Sequence, residues 1–303
     1  MNVKLLMYSV GPDAHIMTFE LEYPRFIHAE LMTHRLFSRN AASSRAIPIG
    51  KMMAQCGENP AMPHIWGLNQ PGMQAETIHI HAPTCEFAWK AAANAAVANA
   101  AILEKLGLHK QIVNRVLEPF QMMKTVVTAT EYDNWFYLRM HEHAQPEIRI
   151  LAEMMWKELQ DSQPQQLEPG EWHVPYVGTY HTPLGIVYHL GEWGTDTFRE
   201  LSLEEALRVS SSCCAQVSYR VLDDSLKKAE MIYERLVASV PVHASPFEHQ
   251  GTPMEFVDYL EQSWPKGVTH MDRNGDFWSG NLKEFIQYRQ LLDNHTNWDY
   301  TEG

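Results

Sequence analysis

Glu30 to Arg45 reads E-L-M-T-H-R-L-F-S-R-N-A-A-S-S-R. This stretch places His34, Arg35, Arg39, Ser43, Ser44 and Arg45 in a short span of an otherwise acidic chain. Arginine forks match phosphate oxygens bidentately. Ser43 and Ser44 add hydroxyl and backbone N–H donors that hold anions without repelling one another. Together they read as a phosphate cradle. An exposed basic helix end followed by a loop accounts for the same residues.

The flanks give the stretch its setting. Thr18 to Tyr23 alternates apolar and polar residues like a half-buried strand. Pro24 suits a turn or a first helical position. Phe26, Ile27, Ala29, Leu31 and Met32 make an apolar helical stripe. The expected order is strand, helix, then a polar Ser/Asn loop ending in Arg45, an arrangement that presents anion ligands at an element's end.

The stretch resembles the signature of the flavin-dependent thymidylate synthases, which is Arg-His-Arg, seven residues, Ser, and an Arg two further on. Here His34 and Arg35 precede seven residues and Ser43, with Arg45 two beyond. Thr33 stands in place of the first Arg, Ala41 in place of a Glu or Gln near the pyrimidine, and Ala46 in place of a Tyr. Arg115-Val116-Leu117-Glu118-Pro119 resembles the family's Arg that reaches the nucleotide phosphate. A surface Arg on a helix end fits that spacing equally. The longest match is Asn134-Trp135-Phe136-Tyr137-Leu138-Arg139 with Ala144-Gln145-Pro146-Glu147-Ile148, similar to the family's Asn-Phe-x-x-Leu-Arg and Ala-Gln-x-Glu-Ile. Thr128 and Thr130 fall where other members place Asn and Arg on the flavin.

Two further fragments resemble the family out of order. Ala215-Gln216-Val217-Ser218-Tyr219 matches Ala-Arg-Val-Ser/Cys-Tyr, and His243 to His249 matches His-x-Ser-Pro-Phe-Glu-His. In the usual order both precede the arginine motif, so the resemblance implies a circular permutation, which close surface termini permit. It covers roughly a third of the chain. Residues 48–83 and 161–201 have no counterpart and are read as insertions in a single domain over 1–303.

The resemblance implies an α/β (α+β) fold, a twisted sheet flanked by long helices, assembled as a homotetramer with shared active sites. It implies reductive methylation of dUMP to dTMP, with FAD as cofactor and methylenetetrahydrofolate and NADPH as co-substrates. It assigns Arg35, Ser43, Ser44, Arg45 and Arg115 to the phosphate, and Glu30 and Arg139 to the base and sugar. Thr33, His34, Arg35, Leu36, Asn134, Ser218 and His249 line the flavin. Arg139, Ser43 and His249 take the catalytic roles. A relative that methylates or hydroxymethylates another pyrimidine nucleotide, such as dCMP, is the alternative that Thr33 and Ala41 motivate. A non-catalytic flavin- or nucleotide-binding subunit is the other.

Composition is compatible with this. The chain has 303 residues, 45% hydrophobic and 20% charged, enough for a sizeable core. A net charge of −13 argues against a nucleic-acid surface, which needs a basic stripe. Cys56, Cys85, Cys213 and Cys214 show no paired spacing and read as reduced thiols of a cytosolic protein. No signal pattern or long apolar run appears, so no membrane span is expected. The His-x-His pairs His79/His81 and His141/His143 lack a third ligand, and no metal site is read. No dinucleotide-binding glycine pattern, P-loop or nucleophile elbow is present.

The spacing predicts strands over Val3–Val10, Thr18–Tyr23 and Gln121–Thr130. It predicts helices over Thr84–Leu106, Leu108–Leu117, Glu131–Glu142 and from Gln145. Residues 48–83 read as irregular structure with short helices covering the site. Short strands are expected near Val174–Thr182 and Ile186–Leu190, and helices from Ser202 to about Tyr219, over Asp223–Val240 and over Phe277–Leu292. The tail from Asp293 reads as loose.

Overall fold

A computed structural model describes residues 1–72, 81–255 and 264–296. Its main sheet forms from β1 (Asn2–Val10), β2 (His15–Pro24), β3 (Ser38–Ala41), β4 (Met122–Ala129) and β5 (Gln165–Gln166). The spatial order is β3-β4-β2-β1-β5. All pairs are antiparallel except β1 with β5.

Alternation along β2 decides the two faces. Met17, Phe19, Leu21 and Tyr23 enter the large core, while Ile16, Thr18, Glu20 and Glu22 point to the other side. On the first face lie α1 (His28–Leu31), α2 (Ile49–Glu58), α3 (Ala82–Lys105), α4 (Lys110–Val116), α5 (Asp133–Arg139) and α6 (Pro146–Gln160). The alanine content of α3 lets it approach α2 and α4 through Ala93, Ala96 and Ala100, and Gly107 at φ 79° closes it. In α6 the helical spacing predicts an apolar stripe of Ile148, Leu151, Ala152, Met155 and Trp156; the first four are fully buried, whereas Trp156 at the stripe's edge is exposed.

The opposite face is covered by a three-stranded sheet, β6 (Gly178–Thr182), β7 (Gly185–Leu190) and β8 (Arg199–Leu201), with α7 (Leu203–Gln216) and α8 (Leu226–Ala238). The expected cap is present as a reciprocal box. Ser202 accepts from the Glu205 backbone N–H, and the Glu205 side chain accepts from the Ser202 N–H. Ser202→Ala is expected to lower stability by about 1 kcal/mol, read as a reduced urea midpoint at unchanged slope. Val217 to Tyr219 continues α7 as a 3-10 turn.

Two expectations are corrected. Residues 38–41 form β3 rather than a loop. Ser38 and Asn40 are buried but polar, so no apolar alternation marks the strand; their partners are Asn281 and the Cys214 carbonyl. Residues 277–292 are not a helix. They form β11 (Phe277–Ser279), β12 (Leu282–Lys283) and β13 (Phe285–Gln287), then a 3-10 turn over Tyr288–Leu291. The Gly280-Asn281 pair makes a tight turn, with Gly280 at φ 60°, and pairs Ser279 with Leu282. β10 (His270–Met271) joins β11, and β9 (Gly251–Pro253) pairs with β13. Within 48–83, α2 is an ordered ten-residue helix, while 73–80, including His79, lie outside the described residues. So does the tail from 297.

Among the described residues, no helix is long and apolar enough to cross a membrane, and no three His, Cys, Asp or Glu side chains gather as a metal set. Cys56, Cys213 and Cys214 are buried and free. Burial pushes all three thiols up, Cys56 to about 12, which leaves them unreactive.

Candidate active site

The guanidinium of Arg139, in the last turn of α5, is held by three acceptors. Its Nε donates to His34 Nε2 at 2.9 Å, Nη2 donates to Thr33 Oγ1 at 3.1 Å, and Nη1 pairs with Glu30 Oε2 at 3.3 Å. These acceptors lie on α1 and the turn after it, where Thr33 and His34 close back on Glu30 and Leu31. Arginine carries five N–H groups. Three are occupied here, so one on Nη1 and one on Nη2 stay available in a fork.

Arg139 also lines a cavity of about 240 Å³, together with Thr33, His34, Arg35, Leu36 and Asn134. Phe37, Glu131, Trp135 and Leu138 complete the wall. The His34 ring meets Trp135 edge-on at 4.7 Å and stacks against Phe37 at 5.6 Å. The backbone of this loop is fixed from the far end of the chain. Asn281 donates to the Leu36 carbonyl at 2.8 Å and to Ser38 Oγ at 2.9 Å, and Gln287 supports Asn281 at 2.8 Å.

An arginine Nε only donates, so His34 Nε2 accepts and its proton is on Nδ1. Burial, then Arg139 and Arg39, hold the His34 imidazole down to about 4. Its folded value lies below its ordinary 6.5, so neutral His34 contributes stability that is full above pH 6.5 and lost as pH falls towards 4. His28 at about 4 and the fully buried His173 and His249 at about 3 act in the same direction. The urea midpoint is expected to fall from about pH 7 to about pH 4, with part of that slope removed in His34→Asn.

The other sequence-assigned residues lie outside this cavity in the single chain. Ser43 takes a second position beside Ser218: its backbone N–H donates to the Ser218 carbonyl at 3.0 Å, and Ser218 Oγ donates to the Ala41 carbonyl at 3.4 Å. Ser43 Oγ accepts the Arg45 N–H, and Arg45 itself is exposed. Asn114, on α4 next to Arg115, donates to the Ser44 carbonyl at 2.8 Å. Arg115 is mostly exposed and pairs loosely with Glu118 at 3.5 Å. His249 is fully buried against Thr128. Arg39, read as part of the phosphate cradle, is anchored to the backbone of the preceding turn through one of its terminal nitrogens. Its Nη1 donates to the Met32 and His34 carbonyls, both at 3.1 Å.

Phe37, Trp135, Glu131 and Leu138 were not singled out from the sequence. Trp135 and Leu138 precede Arg139 by four and one, and the spacing i, i+3 placed them on one helical face. Nothing local marked Asn281 or Gln287, because their partners are remote in sequence.

The profile of the family described as thymidylate synthase complementing protein matches residues 13–165. Among solved structures, the UMP/dUMP methylase PolB from Streptomyces cacaoi, bound with 5-Br dUMP, is 18% identical, with a TM-score of 0.43 over 52% of this chain and 89% of that one. The flavin dependent thymidylate synthase ThyX from Helicobacter pylori, complexed with FAD and dUMP, is 14% identical, with a TM-score of 0.34 over 48% of this chain and 67% of that one. No curated protein matches the chain.

Proposed function

The chain belongs to the thymidylate synthase complementing protein family, and from that we propose that it transfers a one-carbon unit to C5 of a pyrimidine nucleoside monophosphate, converting dUMP to dTMP. Methylenetetrahydrofolate gives the carbon and NADPH the reducing equivalents. Bound FAD supplies the redox chemistry that joins NADPH oxidation to reduction of the transferred carbon.

The observation that carries this reading is the Arg139 fork. Glu30, Thr33 and His34 hold the guanidinium in place, and two N–H groups on neighbouring nitrogens remain for a ligand carbonyl. When C5 of a uracil ring becomes nucleophilic, negative charge builds on a ring oxygen. A prepositioned cation stabilises that charge more than it stabilises the ground state. Glu30 and the neutral His34 orient the fork, and Asn134 adds an amide to the same wall.

The residues present suit a flat heterocycle. The rings of His34, Phe37 and Trp135 line the cavity together with the polar side chains of Thr33, Asn134 and Arg139. Its volume of 240 Å³ lies below the roughly 300–1,000 Å³ of sites that enclose a drug-sized ligand, so one chain receives a ring and not a whole dinucleotide. Leu36 and Leu138 of the cavity wall are exposed, as are Met32 and Tyr137 near them in sequence. We assign closure of the site to further copies in a homotetramer, which also bring Ser43, Ser44, Arg45, Arg115 and Ser218 to the nucleotide phosphate and flavin. The approach of Ser218 to Ser43 and of His249 to Thr128 supports a permuted family order.

Ala41 and Thr33 favour one second reading, methylation or hydroxymethylation of dCMP, because both replace larger polar residues near the base or flavin. Product analysis with dUMP and dCMP supplied separately decides: C5-methylated product from dUMP is expected, and turnover of dCMP alone rejects the first reading. Protein reconstituted with FAD is expected to be yellow and to bleach with NADPH. Protein that takes up no FAD supports a non-catalytic subunit instead.

A further inference from the structure

A single file of buried hydrogen bonds crosses the main sheet and ends at His249. Thr18 and Thr128 are direct partners across β2 and β4. A bulge between Leu5 and Met7 shifts the parity of β1, which turns Ser9 to the same face. His173, from the segment between β5 and β6, enters between them. Gln165 Nε2 donates to Ser9 Oγ at 3.0 Å, and Ser9 Oγ meets His173 Nδ1 at 2.8 Å. His173 Nε2 meets Thr18 Oγ1 at 2.8 Å, Thr18 meets Thr128 at 2.7 Å, and Thr128 meets His249 Nδ1 at 2.8 Å. Ser9, Thr18, Thr128, His173 and His249 are all 0% exposed. His249 Nε2 is buried with no hydrogen-bond partner among the described residues.

Each hydroxyl in the file has one proton. Burial keeps both imidazoles neutral, so each of them also has one. The direction at one end therefore sets the direction at the other. Gln165 sets its end by its placement: Nε2 lies on Ser9 Oγ at 3.0 Å, and Oε1 lies on the Thr179 hydroxyl at 2.5 Å, which donates to it. Ser9 then donates to His173 Nδ1, His173 Nε2–H donates to Thr18, Thr18 to Thr128, and Thr128 to His249 Nδ1. With the amide in this orientation, the reverse direction leaves Ser9 between two donors, with no acceptor among the described residues for its own proton; only a turned-over Gln165 amide would admit it.

We propose that Gln165, acting through Ser9, His173, Thr18 and Thr128, holds His249 as the Nε2–H tautomer, a lone N–H donor for a carbonyl oxygen or unprotonated ring nitrogen of a heterocyclic ligand. The five are positioning residues. The ligand half rests on the function proposed above; the tautomer half does not.

Long-range proton–nitrogen spectra of the full chain labelled at histidine nitrogen test this, with His249 assigned by its loss in His249→Gln. The expected ligand-free state is protonated at Nε2 and bare at Nδ1. In Gln165→Glu the carboxylate only accepts, Ser9 turns to it, and His249 is expected to switch to Nδ1–H. Gln165 is half-buried on an edge strand, and Ser9→Ala provides a second variant, expected to replace the single tautomer by a mixture. Wild-type His249 protonated at Nδ1 overturns the proposal, as does a tautomer unmoved by both variants. Added FAD and dUMP are expected to shift the Nε2–H resonance. FAD uptake with that resonance unmoved overturns the ligand half, whereas no FAD uptake counts against the functional reading and leaves the tautomer result intact.

Discussion

Arg139→Ala is expected to lower kcat for thymidylate formation by about 10²–10³-fold, with a urea midpoint close to that of the parent. The large effect follows from geometry. The guanidinium is immobilised by Glu30, Thr33 and His34 before any ligand arrives, so its remaining N–H groups need no reorganisation as charge develops. The small stability effect follows from exposure. The Glu30 and Arg139 side chains are 37% and 20% exposed, so water reaches the carboxylate left behind. Arg139→Lys is expected to recover little, because an ammonium cannot satisfy His34, Glu30 and a ligand from one planar fork. Steady-state rates with dUMP, read beside circular dichroism, check both. Near-parental turnover in Arg139→Ala excludes this group from the chemistry.

Trp135→Ala is expected to cost about 3–5 kcal/mol of folding stability. Trp135 is 1% exposed and joins the helical core to the cavity wall, with ring contacts to His34 at 4.7 Å and Phe37 at 5.5 Å. Truncation leaves a void that α5 cannot close without moving Asn134 and Arg139, its neighbours on the same short helix. Trp135→Phe, which keeps most of the volume, is expected to cost less than half as much. Urea unfolding of the three proteins gives the comparison. A loss below about 1 kcal/mol for the alanine variant contradicts the packing described here.

Much of this architecture is legible in local composition and in the spacing of apolar residues. β2 and α6 announce themselves by periodicity, β4 by its β-branched residues, α3 by its alanines and Gly107, and Ser202 with Glu205 announces the start of α7. β3 was not legible, since Ser38 and Asn40 are buried for their hydrogen bonds and not for apolar area. The segment 277–292 looked helical because its aromatic and aliphatic residues recur often; the Gly280-Asn281 turn was the signal that outweighed them. At the site, Arg139 and His34 could be found through the resemblance, but their pairing could not, as 105 residues separate them. The role of His173 was hidden for the same reason. A lone histidine in a turn-rich stretch says nothing about which hydroxyls three strands will bring to it.

The most direct test of one-carbon transfer to C5 follows the carbon itself. The full chain is incubated with FAD, NADPH, dUMP and methylenetetrahydrofolate labelled in its methylene carbon, and the nucleotides are read by mass spectrometry. The expected product is dTMP carrying the label in its methyl group, with Arg139→Ala giving far less. Unlabelled or absent dTMP, from protein that has bound FAD, contradicts that transfer.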